Sequence, residues 1–194
     1  ASNTEMGDSF GSSVAIAENT MAVGARFEDG SAIGINGNEA DNGASDSGAV
    51  YVFTRTNGVW SQQAYVKASD TGAGDHFGER VVLDGDTLVV GAPSKNSNSG
   101  AVYVFTRVNG IWSQQASFKA SNTEAGDNFG SRMGLAGNIL VVGASGEDSS
   151  ATGINDNSKQ GDNSATESGA AYVFTRTNGA WTQQTYVKAS NPGA

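Results

Sequence analysis

Gly48-Ala49-Val50-Tyr51-Val52-Phe53-Thr54-Arg55 recurs without change at Gly100–Arg107, and once more, with Ala171 in place of the first valine, at Gly169–Arg176. The octapeptide is the centre of a longer unit written three times in the 194-residue chain. Upstream, each copy has Gly-Asp-x-Phe-Gly (Gly7–Gly11, Gly74–Gly78, Gly126–Gly130) and then a segment closing on Val-Gly-Ala. Downstream come Trp-x-Gln-Gln and Lys-Ala-Ser. A unit too small to bury its own apolar face must stack on its copies, so this period points to one continuous array. The expected units are residues 1–68, 69–120 and 121–190, within a single array over 1–194.

The second copy is the most compact. Phe77–Leu83 reads as a first strand, Asp84-Gly85-Asp86 as a turn, and Thr87–Ala92 as a second strand. Asp-Gly between β-branched runs is a hairpin signal, because glycine supplies the positive φ such turns need. A Ser/Asn loop over Ser94–Ser99 leads to a third strand at Ala101–Thr106, and Asn109-Gly110 turns the chain into a fourth at Ile111–Lys119. The same pair stands at Asn57-Gly58 and Asn178-Gly179. The second and third strands are apolar on consecutive residues, such as Leu88, Val89 and Val90, so both their faces must be covered. An all-β protein follows, with three four-stranded antiparallel meanders covered by their own copies in the manner of β-propeller blades. A β-solenoid is the competing architecture, and the four-strand count goes against it.

The composition suits short strands and tight turns: 27 glycines, 2 prolines, 37% hydrophobic and 16% charged residues. There is no cysteine, hence neither a disulfide nor a thiolate metal site. The net charge of −9 repels phosphate backbones and anionic lipid, and the basic residues form no stripe, which excludes nucleic acid as a partner. No apolar run approaches the roughly 20 residues of a membrane span, so no membrane insertion is expected.

Phe77-Gly78, then Val90-Gly91-Ala92-Pro93, then Gly-Ala-Val-Tyr-Val-Phe together resemble the FG-GAP repeat of integrin α-subunit propellers and of bacterial surface and secreted proteins. The elements occur in order in all copies, departing only at Arg26 and Ser145 where the second has Pro93. The resemblance implies propeller blades, an extracellular or cell-surface location of bacterial type, and a role in adhesion or in binding a protein or glycan ligand. Because propellers close with about 4 to 8 blades, three units leave two open faces. These imply further blades in a longer protein or self-association into a ring or filament. Two other roles stand beside binding: a structural subunit assembling through its end blades, and an accessory propeller of a larger secreted enzyme.

The calcium site usual in integrin-type blades, an Asp-x-Asp-x-Asp-Gly series between the first and second strands, is missing here. The corresponding turns are Glu18-Asn19-Thr20, Asp84-Gly85-Asp86 and Gly137-Asn138, too short to supply about 6 to 8 oxygens. Acidic loops lie instead between the second and third strands of the outer copies. Glu28, Asp29, Asn36, Asn38 and Asp41 recur as Glu147, Asp148, Asn155, Asn157 and Asp162, oxygen ligands of the type calcium takes. The alternative is a loop held by Asn and Asp side chains bonding their own backbone. Asp8, Asp75 and Asp127 are expected to fix the start of each blade by accepting backbone N–H bonds. Phe10, Phe77 and Phe129 are expected as plugs between blades, and Trp60, Trp112 and Trp181 as packing on the outer strands. His76 is the one histidine, and no nucleophile, base and acid set assembles around it, so no catalytic site is expected.

Overall fold

The computed structural model describes residues 2, 3 and 5–191. Ala1 and Thr4, part of the opening Ala-Ser-Asn-Thr phrase that matches Ala120–Thr123, lie outside the described residues, as do 192–194. Three separate four-stranded antiparallel sheets follow one another along the chain. The first holds β1 (Phe10–Ala17), β2 (Thr20–Ala25), β3 (Ala49–Thr56) and β4 (Val59–Val66); the second β5 (Arg80–Asp84), β6 (Thr87–Ala92), β7 (Ala101–Val108) and β8 (Ile111–Phe118). The third is β9 (Phe129–Ala136), β10 (Ile139–Ala144), β11 (Ala170–Thr177) and β12 (Ala180–Val187). Each sheet is a meander in sequence order, the blade the repeat predicts. The Asn-Gly pairs sit in the third hairpin of each blade, with φ of 51° and 83° at Asn57 and Gly58, so both central residues are left-handed as a type I′ turn requires.

Two details depart from the sequence reading. The first strand of the second blade starts at Arg80, because Phe77 and Gly78 form a turn there, whereas β1 and β9 start at their phenylalanines through a bulge. The Ser/Asn loop contains a single tight turn at Lys95–Asn98, left-handed at Asn96, Ser97 and Asn98.

Contacts between blades run mainly through the first strands, β1 against β5 and β5 against β9, so the blades fan out from a line of first strands. Two apolar clusters fill the junctions. Val50, Val52 and Val66 of the first blade meet Phe77, Leu88, Val90 and Tyr103 of the second; Val89, Val102 and Val104 then meet Phe129, Leu140, Val142 and Tyr172 of the third. Consecutive apolar residues are therefore needed on β6, which faces a neighbour on both sides and is buried at every position. In a meander the connections after the second and fourth strands leave by the same end. That end carries the long segments 26–48 and 145–169 and every Asp and Glu of the chain except Glu18, Asp84 and Asp86.

Candidate functional site

The two long loops are the distinctive features of the acidic end, and they are built alike. Asn36, left-handed at φ 55°, docks on the edge strand by accepting a bond from the Tyr65 N–H (3.0 Å) and donating its own N–H to the Tyr65 carbonyl (2.8 Å). Asn155 does the same with Tyr186, at 2.8 Å in both directions. Bridges Ile35↔Val66 and Ile154↔Val187 extend this pairing. Each loop is thus pinned as an added edge to its blade and ordered for presentation at the surface.

Beneath each loop lies a buried charge cluster. Glu28 is 1% exposed, and Lys67, at the end of the fourth strand, is fully buried. The Lys67 ammonium donates to Glu28 Oε2 at 2.8 Å and to Ser47 Oγ at 2.7 Å, while the Tyr65 hydroxyl donates to Glu28 Oε1 at 2.7 Å. The third blade repeats the arrangement: Lys188 donates to Glu147 Oε2 (2.6 Å), and Tyr186 and Asn122 donate to Oε1 (2.8 and 2.7 Å). Burial of so much charge is tolerated because the ammonium and both carboxylate oxygens of each cluster have hydrogen-bond partners. Burial works against ionisation of Glu147, but hydrogen bonds from Lys188, Tyr186 and Ser149 outweigh it and hold its carboxyl below the usual range. Lys67 is shifted down, since burial disfavours its charge more than Glu28 restores it. Asp8 and Asp127 move the other way, raised first by burial and further by the charges of Glu28 and Glu147.

The second blade inverts this chemistry. Lys95 occupies the position of Glu28 and Glu147, and its ammonium donates to Asp75 Oδ2 at 2.6 Å and to the Asp70 carbonyl at 2.7 Å. Lys119, the counterpart of Lys67 and Lys188, is left exposed. Segment 93–100 closes this blade without any long loop.

The other loop residues singled out from sequence are used locally. Asp29 Oδ1 accepts from the Asp46 N–H (2.7 Å), and Asp148 Oδ1 from the Glu167 N–H (2.6 Å). Asn38 Oδ1 accepts from Ala40 N–H, and Asn157 Oδ1 from the Gln160 amide. Asp41 is bound by the Ser31 hydroxyl and by the N–H groups of Ser31 and Gly43; Asp162 is bound by Ser150 and Ser164. Among the described residues no three Asp, Glu or His side chains converge as a metal site would require. In this arrangement Glu28 and Glu147 face lysines, Asn36 and Asn155 dock on the edge strands, and Asp29, Asn38, Asp41, Asp148, Asn157 and Asp162 bond to neighbouring loop groups.

The sequence reading missed Lys67, Lys188, Tyr65 and Tyr186. A signal was present, because the copies with Glu28 and Glu147 have Tyr two residues before the lysine, whereas the copy with Lys95 has Ser117. The structural aspartates are as expected: Asp8, Asp75 and Asp127 accept from the N–H groups of Glu5 (3.3 Å), Gly72 (2.8 Å) and Glu124 (2.8 Å). Beside the third-blade loop, Asn155, Asn157, Gln160, Gln183, Gln184 and Ser121 line a polar cleft of about 420 Å³.

Three FG-GAP repeat matches cover residues 1–53, 60–105 and 112–174. The chain belongs to the FG-GAP repeat family. The second and third matches begin in the fourth strand of one blade and end in the third strand of the next, so an FG-GAP repeat straddles two blades and the sequence period itself ties them together. Over 67 residues, 31% of this chain, it is 33% identical to integrin alpha-2 of Mus musculus, of which the matched part is 6%. Among the described residues no helix is long and apolar enough to cross a membrane.

Proposed function

We propose that this FG-GAP protein is a non-catalytic binding module of the cell exterior, engaging its ligand through the acidic loop end. One observation carries this reading. The second blade closes through segment 93–100 alone, so folding a blade does not require segments 26–48 and 145–169. Long ordered loops that the fold does not need are where binding function usually resides. The lysine clusters serve as the internal cations of these loops, in place of calcium, and fix their shape before a ligand arrives. Amide groups in the third-blade cleft both donate and accept hydrogen bonds, which suits a hydroxyl-rich ligand such as a glycan.

The test is to replace segment 28–47, and separately 147–168, by Lys95–Ser99, and to measure binding to an immobilised panel of glycans and proteins. The shortened chains should keep the β circular dichroism of the parent and lose its binding. Unchanged binding by both, or no binding by the intact chain across the panel, would overturn the reading.

A further inference from the structure

The two internal junctions share most of their parts. Gly74, His76 and Phe77 donate backbone N–H bonds to the carbonyls of Ser45 (2.8 Å), Asp46 (3.2 Å) and Ser47 (2.9 Å) in the preceding blade. Gly126, Asn128 and Phe129 repeat this on Ser97 (3.1 Å), Asn98 (2.7 Å) and Ser99 (3.2 Å). The phenylalanine backbone lies on a glycine so closely that a Cβ on Gly48 would stand 2.1 Å from the Phe77 carbonyl oxygen, and one on Gly100 at the same distance from that of Phe129. On the outer strands Trp112 Nε1 donates to Gln63 (2.9 Å) and Trp181 Nε1 to Gln115 (3.0 Å). On the inner strands the junctions differ: Arg80 Nε reaches across to the Ser131 carbonyl at 3.0 Å in the second, whereas in the first Ser13 Oγ accepts from the Val81 N–H at 3.0 Å.

The two end faces carry the two halves of this set. The front of the first blade presents Phe10, Val14, Ile16 and Trp60, exposed by 45, 66, 65 and 37%, whereas Phe77, Val81 and Trp112 at the matching places are exposed by 1, 5 and 4%. A cavity of about 510 Å³ beside Arg26 is not part of this face, since Glu79 and Arg80 of the second blade line it together with Ser9–Ser12. The back of the third blade presents the receptor half: Val141 is 40% exposed where Val89 is fully buried. A Cβ on Gly169 would meet nothing nearer than 3.5 Å, while Gln184 and Arg132 stand at the places of Gln63 and Arg80.

We propose that these faces bind each other in two copies of the chain, head to tail. Phe10 of one copy then seats on Gly169 of the other, Trp60 Nε1 donates to Gln184, and Arg132 donates to the Ser12 carbonyl. The N–H groups of Gly7, Ser9 and Phe10 meet the carbonyls of Thr166, Glu167 and Ser168. The contact is heterologous, and two copies bring together six blades, inside the range of about 4 to 8 at which propellers close. It rests on the end faces and not on ligand binding by the loops, although Thr166–Ser168 close segment 145–169 and Gln184 also lines the third-blade cleft.

The experiment measures the mass of the 194-residue chain by light scattering over micromolar concentrations, with Phe10→Glu, Val141→Arg and their equimolar mixture. The parent is expected at twice 19.7 kDa or as a larger concentration-dependent oligomer. Each variant should be a folded monomer, because both positions are exposed within one chain. The mixture should recover a dimer, since one variant keeps an intact back and the other an intact front. A monomeric parent, association that survives both substitutions, or a mixture that stays monomeric would overturn the proposal.

Discussion

Leu88-Val89-Val90-Gly91-Ala92 and Leu140-Val141-Val142-Gly143-Ala144 are the same five residues in two blades, yet their surroundings differ. All five are buried in β6, whereas β10 alternates, with Leu140 and Val142 fully buried and Val141 40% exposed. β6 has a neighbouring blade on each face, whereas β10 has one on a single face. Burial in this protein is set by position in the array and not by local sequence. The unit is written for a place between two others, and the end blades keep that pattern on a face without a partner within the chain.

This contrast is broken most sharply at the phenylalanines. Phe77 packs edge-on to Tyr103 and Phe105, at 5.5 and 6.1 Å between ring centres, and is sealed against the first blade. Phe77→Ala should cost about 3 to 5 kcal/mol in urea melts. Phe10 makes the same contacts with Tyr51 and Phe53 inside its own blade but faces outward, so Phe10→Ala in the monomer should cost about 1 kcal/mol or less. Equal losses at the two positions would mean that burial follows sequence after all.

How much was legible in the sequence follows from the same contrast. Strands, turns and the aspartates at the start of each blade were legible because they are local: Asn109-Gly110 dictates a type I′ turn, and Asp75 reaches a donor three residues away. The exposure of Phe10 was not, since its residue type and flanking sequence match those of Phe77. Nor were the lysine clusters, in which Lys67 and Glu28 are 39 residues apart and Lys188 and Glu147 are 41 apart. Read by composition, those carboxylates resemble cation ligands. Folding does bring a cation to each, but it is an ammonium group from the end of the same blade.

The charge clusters sharpen the comparison between the outer blades and the inverted central one. Glu147→Gln leaves Lys188 buried beside a neutral group and should cost about 3 kcal/mol near neutral pH, the low end for a broken buried pair because Gln keeps one acceptor. The sign of the pH effect follows from the lowered carboxyl of Glu147. Its contribution is fully present above its ordinary value of about 4.5 and is lost as the pH falls through the lower folded-state value. The gap between parent and variant melts should therefore be constant at neutral pH and close in acid. A gap that widened in acid would show that Glu147 is protonated in the native state.

The smallest expected effect is the response to calcium. A site that bound calcium only in the native state would add about 2.7 kcal/mol at a hundredfold excess over Kd, enough to raise the Tm of a chain of this size by roughly 5 to 10 °C. Calcium would have to displace Lys67 or Lys188 from the loop glutamates, or take Asp41 and Asp162 from the serines and backbone groups they hold. Each exchange removes a hydrogen bond already made, and for the glutamates it also strands a buried ammonium. Melts in millimolar calcium and in chelator should therefore coincide for the parent chain. The informative variant is Lys67→Met, which removes the internal cation while keeping most of its apolar stem, and leaves Glu28 with Tyr65 and the Gly30 N–H as donors. If the lysine stands where a metal would otherwise be needed, this variant should be the less stable chain and the one more responsive to calcium. A parent chain that gains several degrees in calcium, with Lys67→Met gaining no more, would place the cation elsewhere in the loops and end the account of lysine as its substitute.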